Sequence, residues 1–150
     1  MFFKWTEDLA VNIPEIDEQH KELFLRIDAL HCAIFEGKGS IELSALFAFL
    51  GDYVTIHFND EEGIMARHDY PNLSIHKDEH RGFKDRFGRL KQKCELGRAG
   101  RDMAIEVDKV VCDWLIRHVC MADKTFAKFL RGRPPDKGQG SRDLDVGVPR

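Results

Sequence analysis

The chain has 150 residues and a formal net charge of −3, with a pI near 6.2. That length suits a single domain able to bury one core without disulfides or a structural clip. Mild acidity leaves no basic footprint, which excludes nucleic acid as the expected partner. No apolar run approaches the roughly 20 residues needed to cross a bilayer, so no membrane span is expected.

The first residues, Met1-Phe2-Phe3-Lys4-Trp5, lack an apolar h-region and a small-residue cleavage site, so no secretory signal is expected. Residues 1–16 read as an extended arm: Trp5, Leu9, Val11, Ile13 and Ile16 are irregularly spaced, and Pro14 bars an early helix. The arm is expected to lay its apolar residues over the rest of the fold. Asp17 is the expected N-cap of a first helix, whose stripe of Leu23, Phe24, Ile27, Leu30 and Ile34 runs until Gly37-Lys38-Gly39. Ser40 then caps a second helix carrying Leu43, Leu46, Leu50, Val54, Ile64 and Met65, which ends near His68-Asp69-Tyr70-Pro71.

A third helix spans about Leu73 to Cys94, with Phe83, Phe87 and Leu90 inward. Gly97 and Gly100 mark the next turn, and a fourth helix covers about Met103 to Leu130 with Val107, Val110, Val111, Trp114, Phe126 and Leu130. No segment alternates as a strand. The predicted fold is all-α, an up-down-up-down four-helix bundle. Gly51, Gly63, Gly82 and Gly88 fall inside these helices at about 1 kcal/mol of propensity each; close backbone approach beside the polar cluster is the expected reason for Gly63 and Gly82. From Arg131 to Arg150 the composition turns to Gly, Pro and charge, which reads as a mobile tail to a 1–130 domain.

Seven polar side chains interrupt the apolar stripes: His20; His57 with Glu61; His76 with His80; His118 with Asp123. Unpartnered in a core, each costs about 1–3 kcal/mol or more. In an up-down-up-down bundle the starts of helices one and three lie level with the ends of helices two and four, so all seven fall in one layer. His57/Glu61 and His76/His80 are i, i+4 pairs that share a face. The i, i+5 step from His118 to Asp123 rotates about 140° off a regular helix. Either the two side chains reach toward one another or a π-type bulge intervenes, and reaching is the expectation.

Taken singly, an HxxxH or HxxxE pair is more often a solvated helix face, and a lone buried histidine is more often satisfied by a carbonyl. The joint pattern is what points to metal. His31 and His68 lie eleven residues beyond His20 and His57, about 16 Å along each helix, and are expected to be surface or end-of-bundle residues.

Seven ligands exceed one ion's need. Structural zinc takes four, usually with thiolates, and calcium or magnesium prefers all-oxygen shells. Five imidazoles and two carboxylates suit two first-row ions bridged by the carboxylates, iron above others. Carboxylate-rich Glu-x-x-His repeats of ferritin-like di-iron proteins are absent. Cys32, Cys94, Cys112 and Cys120 form no CxxC pair, and such scattered thiols fit a reducing cytoplasm.

Over about residues 1–130 the chain resembles the hemerythrin family, in the single-domain form of the bacteriohemerythrins. The resemblance is carried by Trp5 with Ile16-Asp17-Glu18-Gln19-His20-Lys21-Glu22-Leu23-Phe24, by His57-Phe58-x-x-Glu61-Glu62-x-x-Met65, by Tyr70-Pro71 with His76-x-x-Glu79-His80, and by Trp114-Leu115-x-x-His118-x-x-x-x-Asp123-x-x-Phe126. It implies a non-haem di-iron centre: His76, His80 and His118 on one iron, His20 and His57 on the other. Glu61, Asp123 and an oxo or hydroxo group would bridge the two, and dioxygen would bind at the two-histidine iron. Asn12 stands where members of the family often have glycine, and asparagine tolerates the left-handed backbone.

Trp114, Phe24, Ile27, Phe58 and Met65 are near enough in sequence to wall an O2 pocket, Trp114 foremost, although plain core packing explains each equally well. The expected function is reversible O2 binding for storage, delivery or sensing, not enzymatic turnover, since no extra acid or base is evident at the site. The alternatives are a di-iron enzyme (peroxidase, oxidase or nitric-oxide handling) and an iron buffer. The expected partner is dioxygen, with an O2-consuming enzyme as a recipient. A cytoplasmic monomer is expected, because no apolar stripe is left over after four helices pack.

Overall fold

A computed structural model describes residues 4–97 and 100–132. Four helical rods follow one turn of 3-10 helix at Glu7–Leu9: α1 Pro14–Phe35, α2 Gly39–Arg67, α3 Leu73–Glu95 and α4 Arg101–Arg117. The fourth rod continues through a π segment, His118–Asp123, into α5, Lys124–Arg131. α1 packs on α2 and α4, and α3 on α2 and α4, as the bundle requires; no strand occurs among the described residues.

Two helix starts differ from expectation. Pro14 does not bar the helix but opens it: at the first helical position its missing N–H would have had no partner, and its fixed φ suits the turn. Asp17, already inside α1, turns back instead. Its carboxylate accepts from the N–H groups of Val11 at 2.8 Å and Asn12 at 3.1 Å. This fastens the arm at the point where Asn12 adopts φ 62°. α2 begins at Gly39 with Lys38 in the cap position, and the Ser40 side chain lies outside the described residues.

The glycines at the first turn have separate reasons. Gly37 takes φ 75° to end α1, while a Cβ on Gly39 would stand 3.0 Å from Ile34 Cγ1 and 3.1 Å from the Ala104 Cβ. Gly63 and Gly82 do not make the close approach expected of them: a Cβ on Gly82 would meet nothing within 4 Å, and one on Gly63 only the Arg67 guanidinium at 3.7 Å.

The core is two clusters. The larger includes Leu23, Phe24, Ile27, Leu30, Leu50, Phe58, Phe83, Val107 and Leu115; the smaller gathers Val11, Ile13, Ile16, Ile64, Met65, Tyr70 and Phe126 at one end of the bundle. The arm serves both, with Trp5 and Leu9 on the larger and Val11 and Ile13 in the smaller. Helix α2 corrects the expectation about apolar length, since Ile41–Arg67 is long and apolar enough to span a bilayer by composition. Its Leu43, Leu46, Leu50, Val54, Phe58, Ile64 and Met65 are instead buried in the bundle. Of the segment 131–150 read as a tail, Arg131 instead closes α5, because the fourth rod runs one residue past the expected Leu130, and 133–150 lie outside the described residues.

Candidate metal centre

Between the two apolar clusters lies a polar layer. His20 comes from α1, His57 and Glu61 from α2, His76 and His80 from α3, and His118 and Asp123 from the two ends of the π segment. Each is between 0% and 3% exposed. The structure brings all seven sequence-predicted residues together. His31 and His68 stay outside: His31 Nδ1 meets Asp108 at 2.9 Å, and His68 Nδ1 donates to the Ile64 carbonyl at 2.9 Å near the end of α2.

The π segment resolves the i, i+5 spacing. A ladder of i→i+5 bonds brings residues five apart onto one face, so His118 and Asp123 need not reach around the helix. The bulge, not reaching, is the structure's solution. Thr125 donates its hydroxyl to the Met121 carbonyl at 2.7 Å, supplying a side-chain partner inside the altered register. Phe126 and Leu130 are thereby back in phase with the core.

All five imidazoles turn Nε2 inward. His20 Nε2 lies 3.2 Å from Asp123 Oδ2, and His57 Nε2 3.2 Å from Glu61 Oε2. His76 Nε2 sits 2.9 Å from Glu61 Oε1 and 3.2 Å from Asp123 Oδ1, and His118 Nε2 3.0 Å from Asp123 Oδ1. Proximity does not satisfy these atoms. Both oxygens of Glu61, both of Asp123, His20 Nε2 and His76 Nε2 are buried without a hydrogen-bond partner among the described residues. Polar atoms this deeply buried are almost always paired, so six orphans aimed at one space require a guest that accepts lone pairs. A cation does this, and a set of imidazole and carboxylate donors suits first-row divalent ions. The ligand atoms fall into two groups, Glu61 with His76, His80 and His118, and His20 with His57, Glu61 and Asp123, each within 4.8 Å.

Without a cation, protons take its place. Burial most strongly opposes charge on His76 and His118, but the adjoining carboxylates outweigh it. Asp123 and Glu61 lift His76 to about 9, and Asp123, Glu79 and Glu61 lift His118 to about 10. Burial and the neighbouring His118 and His76 charges hold His80 far below the usual imidazole range. Burial likewise lowers His57. Neutral His80 can then accept from His118 across the 3.0 Å between their Nε2 atoms.

The outer nitrogens show what sequence reasoning missed. Nδ1 of His57 donates to Gln19 Oε1 at 2.7 Å, and the Gln19 amide is held in turn by Asp60 at 2.8 Å. Nδ1 of His80 donates to Glu62 at 2.8 Å and Nδ1 of His118 to Glu79 at 3.0 Å. These acceptors fix each ring's tautomer and aim its Nε2 inward. Polar groups do therefore stand at the site, contrary to expectation, but at its outer edge. Their signal was adjacency: Gln19, Glu62 and Glu79 each neighbour a ligand in sequence.

The five expected wall residues divide. Phe58 lies flat on His80 with ring centroids 3.8 Å apart and planes 3° apart, and Trp114 stacks on His118 at 4.3 Å and 12°. Phe24 and Ile27 are in the larger cluster, Phe24 edge-on to Trp5, which tilts over His20. Met65 belongs to the smaller cluster, across the polar layer from the other four. A groove of about 730 Å³ between α3 and the fourth rod reaches His76 and His118 from outside, with Trp114, Phe83 and Glu79 along it.

Comparison with known proteins agrees with this geometry. Residues 11–130 match the family described as hemerythrin HHE cation binding domain. The chain is 31% identical over 127 residues to a bacteriohemerythrin of Methylococcus capsulatus, covering 84% of this chain and 95% of that protein. A bacteriohemerythrin of Stenotrophomonas maltophilia is 29% identical over 126 residues, 82% of this chain and 78% of its own. Myohemerythrin-1 of Phascolopsis gouldii is 28% identical over 121 residues, 81% of this chain and 88% of its own.

Proposed function

The chain belongs to the hemerythrin family, and we infer that its buried cluster holds two iron ions at which dioxygen binds reversibly, for storage, delivery or sensing. One observation carries the reading: six inward-facing ligand atoms, buried and without a hydrogen-bond partner among the described residues. We assign His76, His80 and His118 to one ion and His20 and His57 to the other, with Glu61 and Asp123 shared. Glu61 stands in both groups of ligand atoms, and Asp123, grouped with His20 and His57, also lies 3.2 Å from His76 and 3.0 Å from His118, which supports that division.

When bound, the pair of ions supplies dioxygen with electrons and an open coordination position. What the chain adds is orientation, charge and dryness. Gln19, Glu62 and Glu79 take the outer N–H groups of His57, His80 and His118, so the inner lone pairs stay aimed at the centre. Five neutral imidazoles against two carboxylates bring less negative charge than a carboxylate-rich site, which disfavours runaway oxidation. Phe58 on His80 and Trp114 on His118 cover one face of each of those rings with apolar surface, which keeps water off that side of the site.

This is a binding role rather than turnover. Four thiols, none joined to another, fit a reducing compartment, and we assign the protein to the cytoplasm as a monomer that supplies an O2-consuming enzyme. Titration of the anaerobically reduced, iron-loaded protein with O2 tests the function. A visible absorption band should grow with O2 and vanish on deoxygenation over repeated cycles. One-way oxidation within the first exposure would overturn the reading.

A further inference from the structure

Three polar groups beyond the inner ligand atoms are buried without a hydrogen-bond partner among the described residues: the Trp5 indole nitrogen, the outer nitrogen of His20 and the Tyr53 hydroxyl. All three stand beside the same half of the cluster. Trp5 tilts over His20 with ring centroids 6.2 Å apart, and Tyr53 stacks on His57 at 5.0 Å and 16°. Elsewhere outer nitrogens are taken, that of His57 by Gln19, His80 by Glu62 and His118 by Glu79, and no orphan outer group among the described residues stands beside His80 or His118. Buried donors are as a rule paired, so orphans concentrated beside His20 and His57 mark a place where the polypeptide leaves an acceptor to be supplied.

Tyr53 is the best held of the three. It lies one helical turn before His57 on α2, 8% exposed, its ring between His57 and Phe49, the latter at 5.3 Å and 30°. With the ring fixed on both faces, the O–H rotation is the freedom that remains. The phenol runs alongside an imidazole whose Nε2 addresses Glu61, in the group that has two imidazoles rather than three, and its hydroxyl is buried without a hydrogen-bond partner among the described residues.

We propose that Tyr53 is a ligand-binding residue whose hydroxyl donates a hydrogen bond to a small ligand with an exposed lone pair held at the His20/His57 half of the centre. The inference rests on the reading of the cluster as a two-iron site. A hydroxyl donor in a dry setting favours ligands that bear negative charge on their outer atom.

The probe is azide, titrated into wild-type and Tyr53→Phe protein, each iron-loaded and oxidised, with iron per chain measured first. Loss of a hydrogen bond to a charged ligand should weaken azide binding about tenfold or more in Tyr53→Phe, at unchanged iron content. The bound azide stretch should also shift on transfer to D2O in the wild type, and less in the variant. Equal azide affinity in the two proteins overturns the role of Tyr53 and leaves the two-iron reading intact. A wild-type chain that holds no iron overturns both. Should Tyr53→Phe fail to fold, the D2O shift in the wild type decides alone, and its absence refutes the hydrogen bond.

Discussion

Replacing Glu62 by leucine should weaken one half of the metal centre and spare the other. Glu62 accepts from His80 Nδ1 at 2.8 Å and is 21% exposed, so the bond is sheltered from competing water. Without it, His80 loses the acceptor that fixes its tautomer, and its Nε2 lone pair is no longer held toward Glu61. Loss of such an outer partner costs metal affinity about 10- to 100-fold, roughly 1.4 to 2.8 kcal/mol. The companion Gln19→Leu acts on His57, 2.7 Å away, and should weaken the His20/His57 half by a similar factor. Glu79 is 46% exposed, so Glu79→Leu should fall at the low end. Cobalt(II), which binds similar ligands and reports through visible absorption, can be titrated into each metal-free variant to resolve two binding events. An unchanged affinity in Glu62→Leu, or equal losses in both events, would refute the reasoning.

Phe58→Ala removes a ring that is 0% exposed and packed on His80, Phe83 and Trp114, so it should destabilise the fold by about 3–5 kcal/mol in urea unfolding and hasten oxidation of the reduced protein. At Asn12, φ 62°, valine should cost about 1–2 kcal/mol in the same assay, whereas glycine should not destabilise. In the metal-free protein the lifted His76 and His118, at about 9 and about 10, add stability that is full below the unfolded imidazole range and is lost as pH rises through those values. Metal displaces the same protons, so loading near pH 7.5 should release about two protons per chain, measurable with an indicator dye in weak buffer, and metal affinity should rise with pH up to that window.

Much of the bundle was legible because its signals are periodic. Apolar residues at three and four spacing outline the rods, and the polar interruptions coincide in height once the rods alternate. What stayed hidden depends on single backbone choices. Pro14 reads equally as a breaker or as a first helical residue, and only its neighbours in space decide. Asp17 looks like a cap but ties down the arm, because Val11 and Asn12 return to it. The step from His118 to Asp123 announces a conflict with the α-helix, yet its resolution by a π segment is a property of the backbone ladder. Met65 follows the same stripe as Phe58 but falls below the polar layer, a matter of height that facing cannot reveal. Gln19, Glu62 and Glu79 resemble ordinary surface residues until the facing helix brings a histidine nitrogen to each.

Iron content is the most direct measure of whether these side chains form a two-metal centre. Metal-free protein supplied with ferrous salt under argon and passed through a desalting column should retain about two irons per chain, and Glu61→Ala or Asp123→Ala, each removing a shared carboxylate, should retain fewer. Wild-type protein that emerges with less than about one iron per chain, or shared-carboxylate variants that load as fully as the wild type, would contradict it.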